Sequence, residues 1–326
     1  MYRHVLVALG NSDYRGNLVR KAVDFARTIG ARISFFSIPA DSPAPTTPRA
    51  AFVHQAGELA REMLGKAEAV ARALGVPCSA ITDSAAEPCQ LLARAAAAGQ
   101  CDILLLSSHG AGSAHGAMLD SAARAGMPAL VFATEPPAPS TDQTRAIESL
   151  RAGRECVSMM LHLWLRLLDA AETGRVAEDE EVMKAIAAYL QSPASRRHGV
   201  GHQPLFRRLR ERTAVVNAEL DELERQHALD ARLLATLNAT LASYAAGDAS
   251  RRELKAVVSA YASFAWQHAG REEGVIIPTA QRYLQEQDWA QIAAANGNDW
   301  PASRTSDGKA ARLLSRIIEA AAPCAR

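Results

Sequence analysis

The run His268-Ala269-Gly270-Arg271-Glu272-Glu273, continuing through Gly274-Val275-Ile276-Ile277-Pro278, sets an imidazole and a carboxylate four residues apart. On a helix that spacing stacks the two side chains on one face, a geometry suited to holding a metal ion. Five of the nine histidines follow residue 150: His162, His198, His202, His227 and His268. Each lies in sequence that reads as amphipathic helix. Four helices aiming histidines at a common axis would build a metal site in a bundle core.

Two of these histidines sit where a bundle must be apolar. His162 lies within Met159-Met160-Leu161-His162-Leu163-Trp164-Leu165, and His227 follows Leu220 and Leu223 at seven and four residues, so both project from the face that packs inward. Burying an imidazole costs free energy unless a metal or a hydrogen bond compensates it. The readings are therefore a bound metal or a hydrogen-bonded core. Imidazole and carboxylate donors suit iron, zinc, copper or manganese and argue against calcium, without choosing among the transition metals.

The elements that would position these donors fall into two regions. In the first, short β-rich runs alternate with helical patterns: strands at His4 to Leu9, Arg32 to Ile38, Pro77 to Thr82, Ile103 to Ser107 and Ala129 to Ala133. Helices fall between them at Asn17 to Ile29, Ala51 to Leu74 and Pro88 to Ala98. Nearly continuous apolar strands such as Ile103-Leu104-Leu105-Leu106 predict a doubly wound α/β domain with a parallel sheet covered on both faces. Asp41 to Pro48 is a Pro-rich loop within it. Residues 135–141, Glu135-Pro136-Pro137-Ala138-Pro139-Ser140-Thr141, read as a stiff linker between an α/β domain at 1–134 and a helical domain at 142–326.

Beyond the linker the pattern is helical: Ala146 to Glu172, Glu178 to about Ser195, Gln203 to about Arg212, Ala214 to Ala246, Ala249 to Leu284, and a tail around Lys309 to Ala321. Gly174, Gly247 and the Pro193 to Pro204 stretch punctuate it. The expected architecture is an all-α four-helix bundle with an appended C-terminal helix. A chain of 326 residues accommodates both domains.

Composition narrows the function classes. The formal net charge is +1, with 36 basic against 35 acidic residues, which offers no broad electrostatic surface for nucleic acid or an anionic membrane. No apolar run reaches the ~20 residues needed to span a bilayer, and the start runs directly into a strand, so a soluble, cytoplasmic protein is expected. Five cysteines, Cys78, Cys89, Cys101, Cys156 and Cys324, are an odd number without close pairing; they are read as reduced, mostly buried thiols.

The helical region, over about residues 142 to 322, resembles the hemerythrin-like (HHE cation-binding) domains. His162 and His227 match the family's lone histidines, and His268 with Glu272, continuing through Ile277-Pro278 to Gln287-Asp288-Trp289, matches its last motif. The resemblance implies a non-haem iron site used for oxygen binding, for nitric-oxide or redox sensing, or for iron handling. The second helix departs from the pattern. In Arg197-His198-Gly199-Val200-Gly201-His202-Gln203-Pro204-Leu205-Phe206, the expected His-x-x-x-Glu falls either on Arg197 and Gly201 or, shifted by one residue, on His198 and His202. Both alignments are open. An imidazole in place of a carboxylate removes a bridging, charge-neutralising ligand, so the site is either an altered di-iron centre or a mononuclear one using His162, His227, His268 and Glu272. Two glycines and a proline also make a regular helix costly there.

The first 134 residues resemble the universal stress protein family through Val5-Leu6-Val7-Ala8-Leu9-Gly10-Asn11-Ser12 and Cys101 to Gly110. ATP-binding members carry an Asp after the first strand and a glycine-rich phosphate loop. Carried over, that loop falls on Ser107, Gly110, Asp120 and Ser121, of which Gly110 and Ser121 keep the pattern; the Asp position is Gly10. Asp120 would set a negative charge beside the phosphates. ATP is not expected as a ligand, and the domain reads as a dimerisation or interaction module, giving a homodimer through the α/β domain. His109 and His115 read as solvated loop residues.

The leading expectation is a metal-binding stress-response protein that binds or senses oxygen, nitric oxide or peroxide. A metal-dependent enzyme acting on oxygen or peroxide is the second; it would need an acid or base such as Glu273, Tyr261 or Tyr283. The third is a non-catalytic interaction protein with a degenerate site.

Overall fold

A computed structural model of the chain describes residues 2–10, 18–37, 56–81, 88–97, 101–107, 113–133, 141–172 and 180–297. The Pro-rich loop at 41–48, nearly all of the linker at 135–141 and the expected tail helix lie outside the described residues. By their contacts the residues group into two compact units. One joins the α/β region to Trp266–Pro278; the other contains Pro139–Ala265 and the chain from Thr279 onward.

The first unit is built on five strands, β1 His4–Leu9, β2 Arg32–Ser37, β3 Cys78–Ile81, β4 Ile103–Ser107 and β5 Ala129–Phe132. They pair in the order β3-β2-β1-β4-β5, every pairing parallel. Four helices connect or flank them: α1 Leu18–Ile29, α2 Ala56–Ala73, α3 Pro88–Ala97 and α4 Ser113–Arg124. The central strands β1 and β4 are buried along their whole length, which is why their sequences are continuously apolar instead of alternating. Leu104, Leu105 and Leu106 are at most 1% exposed, each side chain contributing about 2 kcal/mol of hydrophobic burial. At the sheet edge the constraint relaxes: β5 alternates exposed and half-buried residues, with Val131 47% exposed.

The second unit is helical. Its described helices are α5 Thr141–Glu172, α6 Glu180–Gln191, α7 Pro193–Arg212, α8 Asn217–Ala246, most of α9 Arg251–Arg271, α10 Ile277–Tyr283 from Thr279 on, and α11 Glu286–Gly297. α11 lies along α5 and α7, and α6 touches α5, α7 and α8. The turn at Gly247 (φ 82°) ends α8, with Gly247 N–H donating to Tyr244 O and Asp248 N–H to Ser243 O. Three residues later Ser250 caps α9: its amide and hydroxyl both donate to Glu253 Oε2 at 2.7 Å, and Glu253 N–H donates back to Ser250 Oγ at 3.3 Å. This reciprocal pair is a capping box, two orphan donors satisfied at once. Tyr261 Oη then donates to Asp230 Oδ1 at 2.9 Å, joining α9 to α8.

Three elements differ from the sequence expectation. α7 runs unbroken from Pro193 through Gly199, Gly201 and Pro204; Pro193 stands at the helix start, where its missing N–H costs nothing. The buried Leu205, Phe206 and Leu209 that follow hold the helix in place, packing overriding propensity. α11 has no counterpart in the expectation, although Trp289, Ile292 and Ala293 form an inward face. Finally, the run expected as one helix to Leu284 contains a π-helical turn at Glu272–Ile276. Among the described residues no helix is long and apolar enough to cross a membrane.

Candidate metal centre

The best-defined part of the site is the end of α9. His268 on α9 and Glu272, the first residue of the π turn that follows, lie one turn apart, His268 Nε2 to Glu272 Oε1 3.4 Å, with the carboxylate side chain only 1% exposed and the imidazole 16%. The pairing is local, set by helical geometry. Directly after it the helix widens: Ile277 N–H bonds to Glu272 O, five residues back instead of four. Such single π turns insert one residue into an α-helix and cluster at functional sites.

The other side of this turn explains its two glycines. A Cβ on Gly270 would stand 2.6 Å from the carbonyl oxygen of Lys66 in α2, and one on Gly274 2.2 Å from Val70 Cγ2. Only hydrogen fits at either position. The Gly-x-x-x-Gly spacing thus lets the backbone of this turn lie directly on α2, with Glu272 between the two contact points. Lys66 Nζ reaches Glu273 Oε1 at 3.5 Å and Glu62 Oε1 at 2.9 Å, while Arg20 Nη1 donates to Gly274 O at 3.4 Å. Glu273, a candidate acid or base in the sequence, is therefore part of an anchoring ion pair. Tyr261 is engaged with Asp230, and Tyr283 lies under the Arg282 guanidinium at 5.6 Å.

The remaining expected ligands are distributed over three helices. His227 on α8 is half-buried and stacks on Phe206 of α7, ring centroids 6.2 Å apart and 12° between planes. His227 belongs to the helical unit, whereas His268 and Glu272 belong to the unit built on the sheet. His162 is 3% exposed within α5. The backbone of α7 is helical at His198 and His202, and at Arg197 and Gly201, but their side chains lie outside the described residues. The stacking of Phe206 on His227 is a feature sequence reasoning missed; its only trace was the Leu205-Phe206 pair of the motif.

In the α/β unit Gly110 lies outside the described residues. Ser121 is buried in α4 and donates from Oγ to Cys89 O at 3.4 Å, tying α4 to α3. Asp120 is exposed on α4. A histidine the sequence reading passed over is instead the centre of a buried chain: His4 Nε2 lies 2.8 Å from Ser34 Oγ, which lies 2.7 Å from Ser79 Oγ. Burial, and then the charge of Arg32, hold the His4 imidazole below its ordinary value near 6.5. Cys101 Sγ is 3.8 Å from His4 Nδ1, its thiol pushed up to about 11 by burial.

Residues 1–125 match the Universal stress protein family. The N-terminal domain is thus of the universal stress protein type, in agreement with its parallel five-stranded sheet. The match stops short of the helical region. No curated protein matches the chain.

Proposed function

We propose that the helical region is a hemerythrin-like four-helix bundle that holds non-haem iron, and that the protein binds or senses oxygen, nitric oxide or peroxide as part of a stress response. The observation that carries this reading is the His268–Glu272 pair, a carboxylate 1% exposed and facing an imidazole one helical turn away. Taking a carboxylate out of water costs several kcal/mol unless positive charge compensates it. An imidazole opposite it supplies a second donor of the kind that iron shares with carboxylates. The donor chemistry therefore fits a transition metal. His162, His227, His198 and His202 are the further donors that the hemerythrin-like resemblance names. When bound, iron would supply coordination positions for a small diatomic molecule or peroxide.

The chain's own residues supply position and exclusion. Gly270 and Gly274 fix the Glu272 turn on α2, Lys66 and Arg20 anchor that turn through Glu273 and Gly274, and Phe206 orients the His227 ring. Because Glu273 is committed to Lys66, the pair favours binding or sensing over acid–base turnover. The half-open edge strand β5, with Val131 exposed, supports a homodimer through the α/β domain. Metal analysis and absorption spectra of protein from iron-supplemented cells test the reading. Iron in stoichiometric amount with a spectrum that responds to oxygen or nitric oxide is the expected result; metal-free protein after gentle purification would sink it.

A further inference from the structure

At the amino-terminal ends of β1, β2 and β4, opposite the end where a parallel sheet ordinarily binds its ligand, lies a cavity of about 670 Å³. Arg3, His4, Arg27, Arg32 and Asp102 supply its charged or titratable lining. Its volume is in the range of small-molecule sites.

Three arginines and one aspartate line this cavity. Asp102 is already engaged: its Oδ2 accepts from Arg3 N–H at 2.6 Å and His4 N–H at 2.9 Å. Those backbone donors, Arg3 first, hold its carboxyl below the usual range, so it stays ionised and fixed to the strand starts. Among the described residues the guanidinium groups of Arg3, Arg27 and Arg32 form no ion pair. With His4 neutral, three positive charges against one negative leave the cavity at +2.

One role for arginines at this place in a fold is to complement the carbonyl ends of the flanking helices. Those ends are already capped. Gly30 N–H donates to Arg27 O and Ala31 N–H to Ala26 O after α1; Gly75 N–H donates to Arg72 O and Val76 N–H to Ala71 O after α2. The capping also occupies the loop amides, so recognition at this cavity falls to the guanidinium groups. An adjoining cavity of about 350 Å³ shares Asp102 but contains no arginine, which places the positive charge in the first cavity specifically.

We propose that this cavity is an anion site for a small, multiply charged phosphate group, bound by Arg3, Arg27 and Arg32. Planar guanidinium groups present paired donors that match phosphate oxygens, and a dianion or trianion would balance the excess charge. The field of Arg32 reaches His4 and lowers its affinity for a proton. An anion on Arg32 would therefore be felt at the buried His4–Ser34–Ser79 chain.

Calorimetric titration of the full chain with inorganic pyrophosphate, at fixed ionic strength, tests this. Saturable one-to-one binding is expected for the wild type, weakened at least ~10-fold in Arg32→Gln, as expected for loss of a charge-assisted contact. It should be lost in the Arg27→Gln/Arg32→Gln pair and unchanged in Arg124→Gln. Thermal melts of each variant establish that it is folded. By NMR, pyrophosphate should raise the His4 titration midpoint in the wild type and leave it unmoved in the double variant. A parallel titration with ribose 5-phosphate separates sources: tighter binding assigns the rest of the cavity to an organic group, weaker binding to inorganic phosphate. No saturable binding of either probe, or wild-type binding by a folded double variant, overturns the proposal.

Discussion

The sheet and the end of α9 each set a histidine against a buried polar partner, but with opposite chemistry. His4 is met by the hydroxyl of Ser34, itself met by Ser79, and by a thiol held in its neutral form. Nothing in that chain carries charge, and burial keeps the ring neutral. His268 is met by Glu272, a carboxylate that is itself more deeply buried than the ring. A buried histidine is therefore not in itself a ligand. Its neighbours decide whether it completes a hydrogen-bond chain or belongs to a set that calls for a cation.

The contrast can be broken most forcefully at the metal. His268→Ala and Glu272→Ala should each take bound iron from the wild-type level to background, while His4→Gln should leave it unchanged, as read by elemental analysis. Equal metal loss in all three would erase the distinction. A second test addresses the surface that positions Glu272. Gly270→Val sets a branched side chain against the Lys66 backbone and should lower unfolding free energy by about 3 kcal/mol, the upper range for overpacking, in denaturant titration. Gly247→Ala at the α8 turn should cost less, about 1 kcal/mol.

Smaller effects sharpen the electrostatic side. Asp288 is 2% exposed and joined to Arg212 through Nε at 2.9 Å and Nη2 at 3.1 Å, and it accepts from Gln285 N–H at 2.9 Å. Burial works against its ionisation, but Arg212 and Gln285 outweigh it and hold the carboxyl below its ordinary value near 3.8. The unfolded chain thus takes up this proton first as pH falls, so the stabilisation is present above about pH 4 and is lost as pH drops through the folded value. Asp288→Asn should cost about 2 kcal/mol at neutral pH, the scale of a hydrogen bond to a charged group, and flatten the acid limb of a stability–pH curve. His4, also depressed when folded, has the same sign in a higher window. Its contribution is whole above about pH 6.5 and declines below that value. An NMR titration placing its midpoint above 6.5 would contradict this.

Much of this was legible because it is local. The strand at His4 to Leu9 is visible in an unbroken apolar run, and the pairing of His268 with Glu272 follows from a spacing of four on a helix. What was hidden depends on residues far apart in the chain. Gly270 and Gly274 look like weak points in a helix until Lys66 and Val70 are found against them, and Glu273 looks like a spare acid until Lys66 reaches it. Pro204 and two glycines suggested a break in α7 because propensity was weighed without the buried face that follows. α11 was missed because Gln287-Asp288-Trp289 was read as the close of a motif, although Asp288 anchors a new helix to Arg212.

The π turn at Glu272–Ile276 carries one further consequence. One residue in an α-helix is about 100° of rotation, so the inserted residue puts everything downstream out of phase with α9. Any face traced by counting threes and fours from His268 is correct up to Glu272 and wrong by more than a quarter turn after it. Deleting one residue within 272–276 would restore an unbroken α-helical count and swing the following side chains around the axis. The chain's bookkeeping of inside and outside restarts at that point.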